Sequence, residues 1–145
     1  MKVRDLAHSQ GIVCLAPHDS VLDAARMMAK HKIGSVLVAS ADGKIEGIFT
    51  ERDLMVKVVA GGSDPGQVAL VDVMTSEVYT TTPDRFVTDV RREMQSRHIR
   101  HVPVVQDDRV LAVLGMRDLM RADLIETRRE KEALTAYIRG EGEPS

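Results

Sequence analysis

The chain has one cysteine, no tryptophan, two tyrosines and two phenylalanines in 145 residues. Cys14 alone forms no internal disulfide and supplies no CxxC metal pair. Flanked by Val13 and Leu15, it reads as a buried packing residue. So few rings exclude the stacking platforms that hold single-stranded nucleic acid. A basic surplus is missing too. The 20 Lys and Arg stand against 22 Asp and Glu, for a net charge of −2. Both signs are scattered, so no nucleic-acid footprint is expected. No apolar run is long enough to span a bilayer. Residues 1–8 hold no continuous apolar segment of signal-peptide type, so no membrane association and a cytoplasmic location are expected. The chain also lacks a GxxxxGK phosphate loop, a nucleophile motif and paired catalytic carboxylates, so no enzyme is expected. His98 and His101 straddle a helix end and spacing places no third ligand beside them, whereas zinc asks for three or four.

What the chain does have is a repeat. Val13-Cys14-Leu15-Ala16-Pro17-His18-Asp19-Ser20-Val21 is answered by Tyr79-Thr80-Thr81-Thr82-Pro83-Asp84-Arg85-Phe86-Val87. The offset is 66 positions, and Asp23 with Asp89, Met28 with Met94, Ile33 with Ile99 and Val38 with Val104 keep it. Gly47-Ile48-Phe49-Thr50-Glu51-Arg52-Asp53-Leu54-Met55 then answers to Ala112-Val113-Leu114-Gly115-Met116-Arg117-Asp118-Leu119-Met120 at an offset of 65. One residue is lost in a turn between strands, where loss is tolerated. A repeat this long is a folded unit rather than a solenoid turn. Two such units, face to face, would enclose a cleft with near-twofold symmetry.

Each half reads as strand, helix, strand, strand, helix. In the first half the strand is 12–15. Asp19 or Ser20 caps a helix with Val21, Ala24, Ala25 and Met28 on one stripe. Strands 35–39 and 45–49 follow around a Ser-Ala-Asp-Gly turn, then a helix from Thr50 to about Ala60. The second half gives a strand at 79–81, a helix over 85–98, strands at 102–105 and 110–114, and a helix from Met116. Arg117 to Arg139 contains no Gly or Pro, and Gly140 stops that helix. Its middle is strongly charged, with Leu124, Leu134, Tyr137 and Ile138 as sparse apolar points. Such a helix lies on the surface, its apolar end on a partner subunit or on its own body. The expected divisions are 1–66, 67–122 and a C-terminal helix and tail over 123–145. The methionines at 27, 28, 55, 74, 94, 116 and 120 read as core and interface fillers.

These pieces resemble the cystathionine-β-synthase (CBS) domain family, as two motifs in tandem over roughly residues 1–120. The resemblance rests on Ile33-Gly34-Ser35-Val36-Leu37-Val38 with Gly47-Ile48-Phe49-Thr50-Glu51-Arg52-Asp53-Leu54, and on Arg100-His101-Val102-Pro103-Val104 with Met116-Arg117-Asp118-Leu119. Val71-Asp72-Val73-Met74-Thr75 is similar to the family's lead-in, and Val3-Arg4-Asp5-Leu6 is its counterpart. The resemblance implies an α/β (α+β) fold of two β-α-β-β-α motifs related by pseudo-twofold symmetry, plus the extended C-terminal helix. It also implies a Bateman module, a homodimer, and a regulatory role toward a protein partner through an adenosine-containing ligand (AMP, ADP or ATP) held between the motifs. No cofactor is required. The competing reading is a ligand-independent dimerisation or scaffold module.

The residues implied in ligand binding are Thr50, Asp53, Gly34, Ser35, Arg100, His101, Pro103 and Asp118. Thr50 stands at a strand-to-helix junction, where free N–H groups favour a phosphate. Asp53 lies one turn on and its carboxylate suits a ribose diol. Backbone amides around Gly34 and Ser35 would then read adenine. Thr-x-x-Asp is equally an ordinary helix cap. In the second copy Gly115 replaces the threonine, Asp118 is kept, and Arg100 and His101 stand where the first has Gly34 and Ser35. A better first-copy site is therefore expected. Arg100 is either a phosphate contact or a helix-end cation. Pro103 in a strand suggests an edge facing the cleft.

Overall fold

The computed structural model describes residues 1–7 and 12–140; the expected tail at 141–145 lies outside them. The chain divides into two compact units, Gly11–Tyr79 and Met1–Gln10 with Thr80–Ser145.

The first unit holds β1 (Cys14–Leu15), α1 (Val21–His31), β2 (Ser35–Ala39), β3 (Ile45–Thr50), α2 (Glu51–Asp53) and α3 (Leu70–Val73). Its sheet runs β1-β2-β3, parallel then antiparallel. Ser20 caps α1 by accepting from the Asp23 N–H at 3.1 Å. The stripe Val21, Ala24 and Met28 packs on Val36, Val38 and Phe49, with Val58 and Leu70 closing the core. The helix begun by α2 is not α-helical to Ala60. From Leu54 to Val59 it is a π-helix, with the Ala60 N–H on the Met55 carbonyl at 2.9 Å. Gly47 is required by its surroundings. A Cβ there would stand 2.6 Å from Met74 Sδ and 2.9 Å from the Thr75 carbonyl oxygen, where the lead-in bridges β3.

The second unit repeats the plan with α4 (Val87–Arg97), β4 (His101–Gln106), β5 (Arg109–Gly115) and α5 (Met116–Ile138). Both α1 and α4 end on a left-handed residue, Lys32 and His98, with φ of 55° and 56°. The expected strand at 79–81 is reduced to an isolated bridge between Thr81 and Val104. The cause is Pro103. In the first unit the Leu37 N–H donates to the Val13 carbonyl at 3.0 Å. Pro103 is the repeat equivalent of Leu37 and has no N–H to give. It is nonetheless buried, with its carbonyl taking the Thr81 N–H at 3.0 Å. So β4 is bridged on the side where the sequence suggested an open edge.

The short lead-ins match as well. Leu70 and Val71 donate to the carbonyls of Asp19 and Pro17; Val3 and Arg4 donate to those of Arg85 and Pro83, all at 2.9 Å. Val3 and Leu70 are both fully buried. Each lead-in thus packs beside the motif that does not follow it in sequence, and the compact units cut the chain elsewhere than at 66/67. Helix α5 is tied to its unit through Asp123, which accepts from Thr88 Oγ1 at 3.0 Å and pairs with Arg91. Leu134, Tyr137 and Ile138 at its far end are exposed.

Cys14 is exposed, contrary to the sequence reading. Successive strand residues face opposite ways. Val13 and Leu15 take the core side, which turns Cys14 outward. Partial burial of its surroundings still pushes the thiol up.

Candidate ligand site

In each unit the last strand residue hands over to a helix, and an aspartate three positions on folds back over the turn. In the first unit the Thr50 N–H donates to Asp53 Oδ2 at 3.0 Å, and the Thr50 hydroxyl donates to the same oxygen at 3.2 Å. The Asp53 N–H donates back to Thr50 Oγ1 at 3.2 Å. This is the reciprocal cap that the sequence allowed as an alternative. The turn is pinned to β2, because Ser35 is in register with Thr50 and the Glu51 N–H donates to the Gly34 carbonyl at 2.9 Å. Thr50, Asp53, Gly34 and Ser35 therefore do come together.

The second unit copies this geometry. The Gly115 N–H donates to Asp118 Oδ2 at 2.9 Å. His101 is in register with Gly115, and the Met116 N–H donates to the Arg100 carbonyl at 2.7 Å. Asp118, Arg100 and His101 are thus brought to one strand end, with the Arg100 residue exposed. Pro103 lies two residues further along β4, opposite Val113, away from that end. A Cβ on Gly115 would meet nothing closer than Asp118 Oδ2 at 3.5 Å, so space does not dictate the glycine.

The two carboxylates differ in what remains open. Asp53 is only 9% exposed and both its oxygens are engaged. Oδ2 takes the two bonds from Thr50, while Oδ1 lies 3.2 Å from Lys57 Nζ. The same ammonium donates to the Val73 carbonyl at 2.9 Å. Asp118 has one protein hydrogen bond among the described residues, at Oδ2. Sequence reasoning missed Lys57. Its signal was available, since Asp and Lys four apart on a helix face each other in the favourable order. Also missed is Thr81, whose buried hydroxyl has no hydrogen-bond partner among the described residues.

Among the described residues no group of three or more His, Cys, Asp or Glu is placed to hold a metal ion. None of their helices is long and apolar enough to cross a membrane.

Comparison with known proteins agrees with this duplicated architecture. The CBS domain family model matches twice, over residues 3–60 and 70–125. The mitochondrial CBS domain-containing protein CBSX3 of Arabidopsis thaliana is 33% identical over 126 residues, covering 84% of this chain and 61% of that protein. Arabinose 5-phosphate isomerase KdsD of Escherichia coli is 33% identical over 129 residues, covering 86% of this chain but 38% of the enzyme. This chain thus spans less than two thirds of either relative. A crystal structure of a CBS-domain containing protein from Agrobacterium tumefaciens superposes with a TM-score of 0.78 at 34% identity, covering 84% of this chain and 92% of that one. With both halves matched, the chain belongs to the CBS domain family, as a tandem pair of CBS motifs.

Proposed function

We propose that this chain is a regulatory module, acting in the cytoplasm, that binds an adenosine-containing ligand of the AMP, ADP or ATP class and signals occupancy to a protein partner through homodimer packing. One observation carries the reading. Asp118 is held at the strand-to-helix turn by a single N–H, leaving Oδ1 without a protein hydrogen bond among the described residues. A ribose diol is a donor pair that such an oxygen accepts. Arg100 and His101 at the same strand end supply donors for phosphate, Arg100 as a planar fork. Thr50, Asp53, Gly34 and Ser35 form the first-repeat counterpart. Because Asp53 is already engaged, the second repeat is the readier acceptor, which reverses the preference drawn from the missing hydroxyl at Gly115.

Dimer packing has support in the exposed side chains. Met55 and Val59 in the first repeat and Met120 and Leu124 in the second occupy equivalent positions and all are exposed. Large apolar groups repeated at the same helix positions mark an interaction face.

Calorimetric titration with adenosine, AMP and ATP tests the ligand reading. Asp118→Asn is expected to weaken all three about ten- to a hundredfold, the size of a charged hydrogen bond. Arg100→Ala should weaken ATP more than adenosine, and less so at high salt. Equal affinity in parent and Asp118→Asn refutes the site. The full engagement of Asp53 favours a second reading, a scaffold module with no ligand. Absence of binding for all three ligands, with a stable dimer in sedimentation, would establish that one.

A further inference from the structure

We propose that Lys57 is an internal competitor for the first-repeat site, an autoinhibitory contact that the second repeat lacks; the inference rests on the adenosine-ligand reading above. The two repeats present the same aspartate at the same turn. They differ at several positions on the adjoining helical turn, and one of these, four residues past the aspartate, decides what its carboxylate meets. Lys57 occupies it in the first repeat, and its equivalent 65 positions on is Ala122. The ammonium takes Asp53 Oδ1, the one carboxylate oxygen that the cap leaves over. The Ala122 methyl takes nothing from Asp118 and is buried instead.

Two further features belong to the first repeat alone. Lys57 sits within the π-helical turn Leu54–Val59, whereas α5 runs as an unbroken α-helix from Met116. Such turns are rare and concentrate where a side chain serves a function. The Lys57 ammonium also holds the Val73 carbonyl at the end of α3. Occupation of Asp53 by a diol must therefore part Lys57 from Oδ1 and disturb its hold on α3. The contact can open, because the Lys57 side chain is 42% exposed and water receives the freed ammonium. The first repeat is thus a guarded acceptor and the second an open one. A neutral riboside should fill them in that unequal order.

The test uses the full chain with Asp118→Asn, so that the second repeat is weakened and the first can be read, and adenosine as the probe. Lys57→Met is expected to bind adenosine about two- to fivefold more tightly than the lysine form, the range of a partly exposed ion pair. At the same time its urea unfolding midpoint should fall, because the bonds to Asp53 and Val73 are gone. Lys57→Arg should keep the weaker affinity. Tighter binding by a less stable protein is a pairing that a merely structural lysine does not produce. Equal or weaker adenosine binding by Lys57→Met, with the second-repeat site of the parent binding normally, overturns the competitor role alone. Absence of adenosine binding in the parent and in every variant overturns the ligand reading, and the competitor with it.

Discussion

Removing the carboxylate from Asp53 and from Asp118 should not cost the same stability, although the two are repeat equivalents. Each sits at the third position of a helical turn and accepts one backbone N–H, from Thr50 at 3.0 Å and from Gly115 at 2.9 Å. Those bonds and the helix-end electrostatics are matched, so they cancel in the comparison. Two contacts are left over at Asp53. The Thr50 hydroxyl bond contributes about 0.5–1.5 kcal/mol net. The Lys57 pair, with a partly exposed lysine, contributes about 0.2–1 kcal/mol. Asp53→Ala is therefore expected to destabilise the protein by about 1–2 kcal/mol more than Asp118→Ala. Equilibrium urea unfolding of both variants at moderate salt measures the difference. An Asp118→Ala loss equal to or larger than that of Asp53→Ala would refute the accounting. It would mean that Asp118 makes contacts as extensive as its counterpart's.

Thr81→Val should stabilise the protein by up to about 1 kcal/mol, because a buried hydroxyl without a partner among the described residues gives way to a methyl; a clear drop in melting temperature would show that the hydroxyl is satisfied. Gly47→Ala should destabilise by about 1–3 kcal/mol, since the new Cβ meets Met74 and the Thr75 carbonyl and the chain must shift; unchanged thermal unfolding would count against that close approach. Cys14, though exposed, has its thiol pushed up by burial, so less of it is thiolate at a given pH. Its alkylation by iodoacetamide should be slower than that of free cysteine at neutral pH and climb as pH rises; a faster neutral rate would contradict the shift.

Much of the fold could be read from spacing because the repeat supplied most elements twice. The bounds of β2 match the reading over 35–39, and α1 carries Val21, Ala24 and Met28 of the expected stripe into the core, with Ala25 half-buried beside it. What escaped depends on single atoms rather than periodicity. The strand at 79–81 failed for want of one N–H, at Pro103. Cys14 lay between two apolar neighbours, which suggested burial, but a strand of two residues buries only alternate sides. The π-helical turn at Leu54–Val59 has the same apolar composition as an α-helical one, so no pattern marks it. At the site, the pattern Thr-x-x-Asp was visible with both of its meanings, cap and ligand acceptor. Only the folded geometry gives each oxygen its partner, and Lys57 emerges there.

The exchange of lead-ins has a consequence for the order of assembly during synthesis. The unit Gly11–Tyr79 is contiguous and can close once its last residue has left the ribosome. The other unit needs residues from both ends of the chain. Val3 must wait for Arg85, its hydrogen-bond acceptor, which emerges about 4 to 16 s later at translation rates of roughly 5–20 residues per second. Until then a side chain destined for full burial has no seat. For the same reason the gene cannot be halved at the repeat boundary. A fragment beginning at residue 67 would carry α3 without the motif that α3 covers. It would also lack the segment that its own motif requires.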